Sequence, residues 1–459
     1  MRGLRLRSAF GASLIVTGLA LYACGGDDGG VLPPSGGEPE TGAQPATNVG
    51  ADTGDGLIVR DSATDVADAT LLSPTFVYRD INQVLGTGQS LSVGAVGVPT
   101  LSLAQPYDNT MFVTGVLAGG TGLTSFKPLI EGSVETLSTS FASLVTKLAR
   151  DVVLVGQPAG KTSHEMLISA HGIGGTPYVG LKKGTAAYAN GLAQAQAGHD
   201  LALAAGKTHV VRAVTNVHGE SDSQTGNPSY EANLLEWQSS YETDVKAITG
   251  QAEGIPMLHS QFSSWTRLAG LPTTSIIPAA QLAAHANAPG RIVLVGAKYH
   301  LPYVADGVHL TNEGYRHMGE DYAKVYRRVI LEGKPWEPVR PKTVTRVGAM
   351  ITVKMHVPAP PLVIDTTLVS DPGNKGFEWA GGAETIASVA VSGADTVVVT
   401  LSAAPAAGGR LRYAFTGTSG ALGGPTTGAR GNLRDSDATP SRNGYPLYNW
   451  CVHFDQAVP

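Results

Sequence analysis

Between about residue 70 and residue 338 the chain keeps returning to one pattern, a short β run followed by a helical stretch. The β runs are Met166-Leu167-Ile168-Ser169-Ala170, residues 210–217 and Arg291-Ile292-Val293-Leu294-Val295. Tyr230, Leu234, Trp237, Tyr241, Val245 and Ile248 recur at three- and four-residue spacing, the period of one helix face, between Pro228 and Gly250. A second helix carries Tyr315, Met318, Tyr322, Val325 and Val329 on one face, is opened by Thr311-Asn312 and is stopped by Gly333 and Pro335. Strands that alternate with helices of this length predict an α/β layered domain, residues 71–338, with a mainly parallel sheet. Ligands of such sheets bind beyond the carboxyl ends of the strands, where the loops collect.

Beyond Pro341 the period changes. Val347, Ala349, Ile351, Val353 and Met355 alternate with Arg346, Gly348, Met350, Thr352 and Lys354, the signature of a half-buried strand. Residues 396–401 and 411–415 continue in that style without helical period. This predicts a separate small β-sandwich over residues 342–459, with Trp450-Cys451-Val452-His453-Phe454 as its last strand.

The N-terminus reads as an export signal, residues 1–23: Arg2, Arg5 and Arg7 precede an apolar run, Ala9 to Ala23, that is short for a bilayer span. It ends in Leu21-Tyr22-Ala23-Cys24, which resembles the lipobox of bacterial lipoproteins and implies lipidation at Cys24. Residues 24–70 are rich in Gly, Pro, Asp, Glu and Thr, a composition that buries too little surface to fold and suits a tether behind a membrane anchor. The expectation is a lipoprotein at the outer membrane, cell surface or periplasm. Only Cys24 and Cys451 are present, so Cys451 is expected as a buried small hydrophobe and stability must come from a packed core. Against 32 Lys+Arg stand 37 Asp+Glu, a balance that offers nucleic acid no attraction.

Gly86-Thr87-Gly88-Gln89-Ser90-Leu91-Ser92 packs glycine, amide and hydroxyl into one turn after a strand-like run, the place where an exposed nucleophile would sit. Ser90 needs a base, and the base needs an orienting group. Asp306 and His309, three residues apart just before a helix, supply both from one loop. Ser92 is the rival nucleophile, but on a turn it points away from Ser90. Developing negative charge needs donors. His171-Gly172-Ile173-Gly174-Gly175-Thr176 follows a strand and offers backbone N–H groups, while His218-Gly219-Glu220-Ser221-Asp222 ends another with a dense polar cluster. Glu220 and Asp222 read as loop-fixing hydrogen bonders and His171 as structural; His317 is expected at a helix surface. No H-E-x-x-H or C-x-x-C spacing calls for a metal, and no cofactor is expected.

The ordered set G-Q-S-L, G-G-T, H-G-E-S-D and D-G-V-H-L-T resembles the blocks of the SGNH (GDSL-like) hydrolases, and within them the sialate O-acetylesterase-like carbohydrate esterases. The resemblance covers roughly residues 75–335 and implies a three-layer α/β/α flavodoxin-like fold and ester hydrolysis without cofactor. It implies Ser90 as nucleophile, His309 as general base and acid, and Asp306 as orienter. The implied oxyanion hole is the Ser90 N–H, a glycine N–H (Gly175, with Gly174 as the alternative) and the His218 side chain. Gln89, Tyr178 and Glu220 are expected to bind substrate, with Trp265 and Tyr303 as further aromatic candidates. Two positions depart from the pattern: Leu91 stands where the family usually has asparagine, and His218 where it usually has a glutamine donor. The implied substrate is a small acyl ester, acetyl first, on a glycan. The alternatives are a lipase or aryl-esterase of the same fold, or a surface glycan-binding protein without activity. An α/β-hydrolase is excluded, because the elbow lacks its second glycine and acid and histidine share a loop.

Overall fold

The computed structural model describes residues 71–158, 161–267 and 270–459; the export signal, Cys24 and the tether lie outside the described residues. Seven strands form one sheet: β1 (Ile81–Gly88), β2 (Thr110–Phe112), β3 (Phe126–Pro128), β4 (Met166–Ala170), β5 (His209–Val217), β6 (Met257–Gln261) and β7 (Ile292–Ala297). Their order is β3-β2-β4-β1-β5-β6-β7, with every pair parallel except β2 with β3. The helices are α1 (Ser138–Leu148), α2 (Ala186–Ala204), the short α3 (Glu220–Thr225), α4 (Tyr230–Thr249), α5 (Ile277–Asn287) and α6 (Asn312–Tyr326).

Alternation along the strands decides which helix covers which face. Val84, Ala213 and Val293 share one core with Phe141 of α1 and Met318 and Tyr322 of α6. Their neighbours Leu85, Val214 and Ile292 share the opposite core with Leu234 and Trp237 of α4 and Ala195 of α2. The central strands are buried on both faces, which is why they read as continuous apolar runs rather than as alternating ones. Gly250 ends α4 at φ +67° and the Thr311 side chain caps α6 by accepting the Gly314 N–H, both where the sequence puts them. Because β1 lies between β4 and β5, the chain leaves it on one side and returns on the other, opening a crevice at the carboxyl end of β1.

The remaining strands are β8 (Arg340–Val347), β9 (Met350–His356), β10 (Val363–Ile364), β11 (Phe377–Ala380), β12 (Ile386–Ser392), β13 (Thr396–Leu401), β14 (Arg410–Tyr413), β15 (Leu433–Arg434) and β16 (Phe454–Ala457). A four-stranded sheet, β12-β13-β9-β8, and a three-stranded one, β11-β14-β16, share a core through Ile351, Val399, Phe377, Leu411 and Phe454. Two expectations need correction here. The alternating run over 346–355 is a hairpin: Gly348 at φ +59° turns the chain, so Val347 is exposed on β8 while Ile351, Val353 and Met355 face the core from β9. The last strand begins at Phe454, since residues 451–453 leave the ladder to pack on the α/β layers. There Tyr299 Oη donates to the Cys451 carbonyl at 2.6 Å, and Gln261 exchanges two hydrogen bonds with the His453 backbone at 2.8 and 3.0 Å. Cys451 itself is buried with a free thiol.

Candidate active site

The turn carrying Ser90 is shaped by close backbone approach. Gly88 sits at φ +127°, and a Cβ there would overlap the Val217 carbonyl at the end of β5. Gln89 N–H donates to that same carbonyl at 3.1 Å, and residues 90–93 then wind into a single 3-10 turn. Leu91 points into the core at 0% exposure. Ser92 is buried and donates its hydroxyl to the Gln89 carbonyl at 2.7 Å, so it faces away from the crevice. Ser90 remains partly exposed.

The loop after β7 brings the other two groups. Val304 N–H bonds the His309 carbonyl, Gly307 turns at φ +66°, and Tyr303 pairs with Leu310, so Asp306 and His309 sit on one tight loop ahead of α6. His309 Nε2 lies 2.8 Å from Ser90 Oγ and its Nδ1 lies 2.6 Å from Asp306 Oδ2. Asp306 Oδ1 accepts the backbone N–H groups of Val308 and His309 at 2.8 and 2.9 Å. Partial burial pushes the Asp306 carboxyl up, but the bonds from the His309 ring and these two N–H groups outweigh it and hold it below the ordinary carboxylate range. An ionised carboxylate on Nδ1 fixes the ring with its proton there and leaves Nε2 as the acceptor facing Ser90.

Among the glycines of the second block, Gly174 stands over the nucleophile: a Cβ there would lie 3.7 Å from Ser90 Cβ, whereas nothing lies within 4 Å of one at Gly175. Among the described hydrogen bonds the N–H groups of Ser90 and Gly174 have no partner, while those of His171 and Ile173 are taken by the carbonyls of Gly86 and Gly88. Of the two glycines named for an oxyanion hole, Gly174, the alternative, is the one beside Ser90.

His218 is not free to serve as an oxyanion donor. It is fully buried, its Nε2 faces the Thr176 carbonyl at 3.1 Å and its Nδ1 faces Tyr230 Oη at 2.7 Å. A carbonyl only accepts, so Nε2 carries the proton and Nδ1 receives the tyrosine hydroxyl. Burial, acting against the charged form, lowers its pKa and keeps the ring neutral. Asp222 holds the same loop by accepting the Tyr178 N–H at 2.8 Å. Both residues thus fix the backbone that presents Gly174.

The expected substrate-binding residues are also interior. Gln89 accepts the Ser221 N–H at 3.2 Å. Glu220 pairs with the buried Lys298 ammonium at 3.1 Å, a partner that nothing in its sequence surroundings announced. Tyr178 packs edge-on against Trp237, and Trp265 packs against Phe262 and His453 with its indole N–H on the Thr273 carbonyl. Tyr303, on the loop carrying Asp306 and His309, is half-buried, with its hydroxyl enclosed and without a hydrogen-bond partner. His171 is structural, between Gln194 at 3.1 Å and Tyr241 Oη at 2.6 Å. His317 is buried rather than at the surface, because α6 is covered by residues 441–450.

A segment that sequence reasoning missed closes over the catalytic loop. Gly423 N–H donates to the Gly307 carbonyl at 3.1 Å, and Leu422 packs so closely that a Cβ on Gly307 would meet its Cδ2 at 2.6 Å. Gly420 N–H reaches the Thr266 carbonyl at 2.7 Å from the same segment. Its Gly-rich composition gave no helical or strand period to flag it.

The layered sheet, the crevice beside β1 and the Ser90–His309–Asp306 hydrogen-bond chain at its mouth belong to one α/β/α fold. No family model and no curated protein matches the chain. Among solved structures, a carbohydrate acetylesterase from Xanthomonas citri aligns over 82% of this chain and 80% of its own, at 15% identity and a TM-score of 0.51. A carbohydrate acetylesterase from Sinorhizobium meliloti aligns over 53% and 97%, at 14% identity and a TM-score of 0.30. An acetylxylan esterase from Geobacillus stearothermophilus aligns over 56% and 95%, at 13% identity and a TM-score of 0.27. The first of these establishes a shared fold that extends into the β-rich region.

Proposed function

We propose that the protein is a serine esterase of SGNH type that removes acetyl groups from carbohydrates. The observation that carries this reading is the continuous hydrogen-bond chain Ser90–His309–Asp306, at 2.8 and 2.6 Å, at the mouth of the crevice. Ser90 Oγ attacks the ester carbonyl while His309 Nε2 takes its proton. The tetrahedral oxyanion is held by the N–H groups of Ser90 and Gly174. His309 then returns the proton to the departing alcohol, leaving an acyl group on Ser90. A water activated by the same Nε2 reverses the sequence and releases the acid. Asp306 stays ionised throughout and stabilises the imidazolium. The choice of an acetylated sugar rests on the motif resemblance and on the carbohydrate acetylesterase from Xanthomonas citri that shares the fold.

The test is hydrolysis of p-nitrophenyl esters from acetate to octanoate, followed by acetate release from acetylated xylan. Acetate cleaved best by the wild type and not by Ser90→Ala supports the reading. Preference for long chains would move the assignment to a lipase, and inertness toward every ester would leave a glycan-binding protein. We further propose a lipoprotein exported and anchored through Cys24, facing the glycans outside the cytoplasm; incorporation of labelled palmitate that Cys24→Ser does not reduce would rule this out.

A further inference from the structure

Between α6 and the loop after β7, two imidazoles and a carboxylate converge. His317 and Asp321 stand one turn apart on α6, on the same helix face. His300 enters from the loop after β7. Asp321 Oδ2 lies 3.2 Å from His300 Nε2 and 4.0 Å from His317 Nε2, and the three ligand atoms fall within 4.8 Å of one another. We propose that this cluster is a binding site for one zinc-class divalent transition metal, held by His300, His317 and Asp321.

The burial of the cluster supports this. The side chains are 7%, 9% and 13% exposed, yet His317 Nε2, His300 Nδ1 and Asp321 Oδ1 have no hydrogen-bond partner. Orphaned buried polar atoms are costly, and a cation between the two imidazoles and Oδ2 supplies the partner that His317 lacks. Two imidazoles and one carboxylate suit zinc and not calcium or magnesium, which take oxygen ligands. Tetrahedral zinc with bonds of about 2.0 Å sets its ligands about 3.3 Å apart, a geometry this cluster reaches with side-chain shifts of roughly an ångström. A cavity of about 20 Å³, the size of one water, borders His300 and Asp321 together with Met318 and Trp450.

The nearby positive charge is accounted for. Lys324 Nζ stands 3.8 Å from the far oxygen, Asp321 Oδ1, but it is itself paired with Asp437 at 3.2 Å and bonded to Asn449 at 2.9 Å and to the Leu447 carbonyl. Lys298, which also borders the cavity, is paired with Glu220. The Asp321 charge is thus left to face the imidazoles. His317 stacks on Tyr445 and His300 on Trp450, so a bound metal ties α6 and the loop after β7 to the C-terminal segment.

The experiment is metal analysis of the untagged full chain after equilibration with Zn²⁺ and removal of free ion, with Ca²⁺ as the contrasting probe. The expected result is about one zinc per chain, no calcium, and affinity lowered at least about tenfold in both His317→Gln and Asp321→Asn. Ser90→Ala and His309→Ala should bind zinc like the wild type, whether or not the protein is an esterase. If Asp321→Asn fails to fold, His317→Gln alone decides. Wild type that retains no zinc, or His317→Gln that retains as much as wild type, overturns the proposal, as does zinc lost on His309→Ala, which would place the ion at the triad.

Discussion

At the scale of single residues, the geometry around Ser90 separates substitutions that look alike. A Cβ on Gly174 would make an ordinary 3.7 Å contact with Ser90, whereas one on Gly172 would overlap Ser92 Oγ and meet the Gly88 carbonyl at 2.7 Å. Gly172→Ala should therefore shift the nucleophile's turn and lower both kcat and melting temperature, while Gly174→Ala should keep its melting temperature within a degree or two; thermal melts beside ester kinetics check this. Asp306→Asn keeps the shape of the orienter but lets the ring take the wrong tautomer, and should cost about 10⁴-fold in kcat with little change in KM. The Glu220–Lys298 pair is buried on both sides. Removing one charge strands the other, so Lys298→Met should destabilise by roughly 3–5 kcal/mol, and adding Glu220→Gln should recover a large part of that, as measured by denaturant unfolding.

At the scale of elements, the catalytic loop is clamped from a distant part of the chain. Gly307→Ala drives a methyl group into Leu422 and should displace Asp306 and His309 together. Leu422→Ala removes the Cδ2 overlap but leaves Leu422 Cβ and Cα at 2.8 and 2.9 Å from that methyl group, so the double variant should recover only a small part of the activity lost in Gly307→Ala, and the strain of φ +66° persists. Additive losses in that cycle would show that the contact does not position the loop. The elements themselves were largely legible: β4 coincides with the apolar run at 166–170 and α4 with its heptad-like face, because local period and burial agree there. The hairpin at Gly348 was not, since alternation continues across a tight turn and only the glycine marks it. Nor were the fates of Tyr178, Trp265 and His218, whose types suit a sugar site or a core equally; burial by α4 and by the C-terminal segment decided between them. That Ser90, His309 and Asp306 could meet was legible because all three fall in loops that collect at one edge of the sheet.

At the scale of the whole molecule, the core holds histidines as neutral groups. Burial pushes His171, His209 and His453 down to about 4 and His259 to about 3. In the unfolded chain each titrates near the ordinary value of about 6.5, so below that pH the unfolded state gains protons that the folded state refuses. Stability contributed by this set is full above pH ~6.5 and falls as pH drops toward ~4, by up to about 1.4 kcal/mol per pH unit for each group. Denaturant midpoints across that interval should decline steeply; a flat profile would mean these rings protonate in place. Ser90, on the turn after β1, meets His309, from the loop before α6. The most direct measurement of that arrangement is covalent: reaction with a fluorophosphonate, with the modified residue located by mass spectrometry. One adduct is expected, on Ser90, formed far more slowly in His309→Ala. An adduct on Ser92, or labelling of Ser90 at equal rates with and without His309, would contradict it.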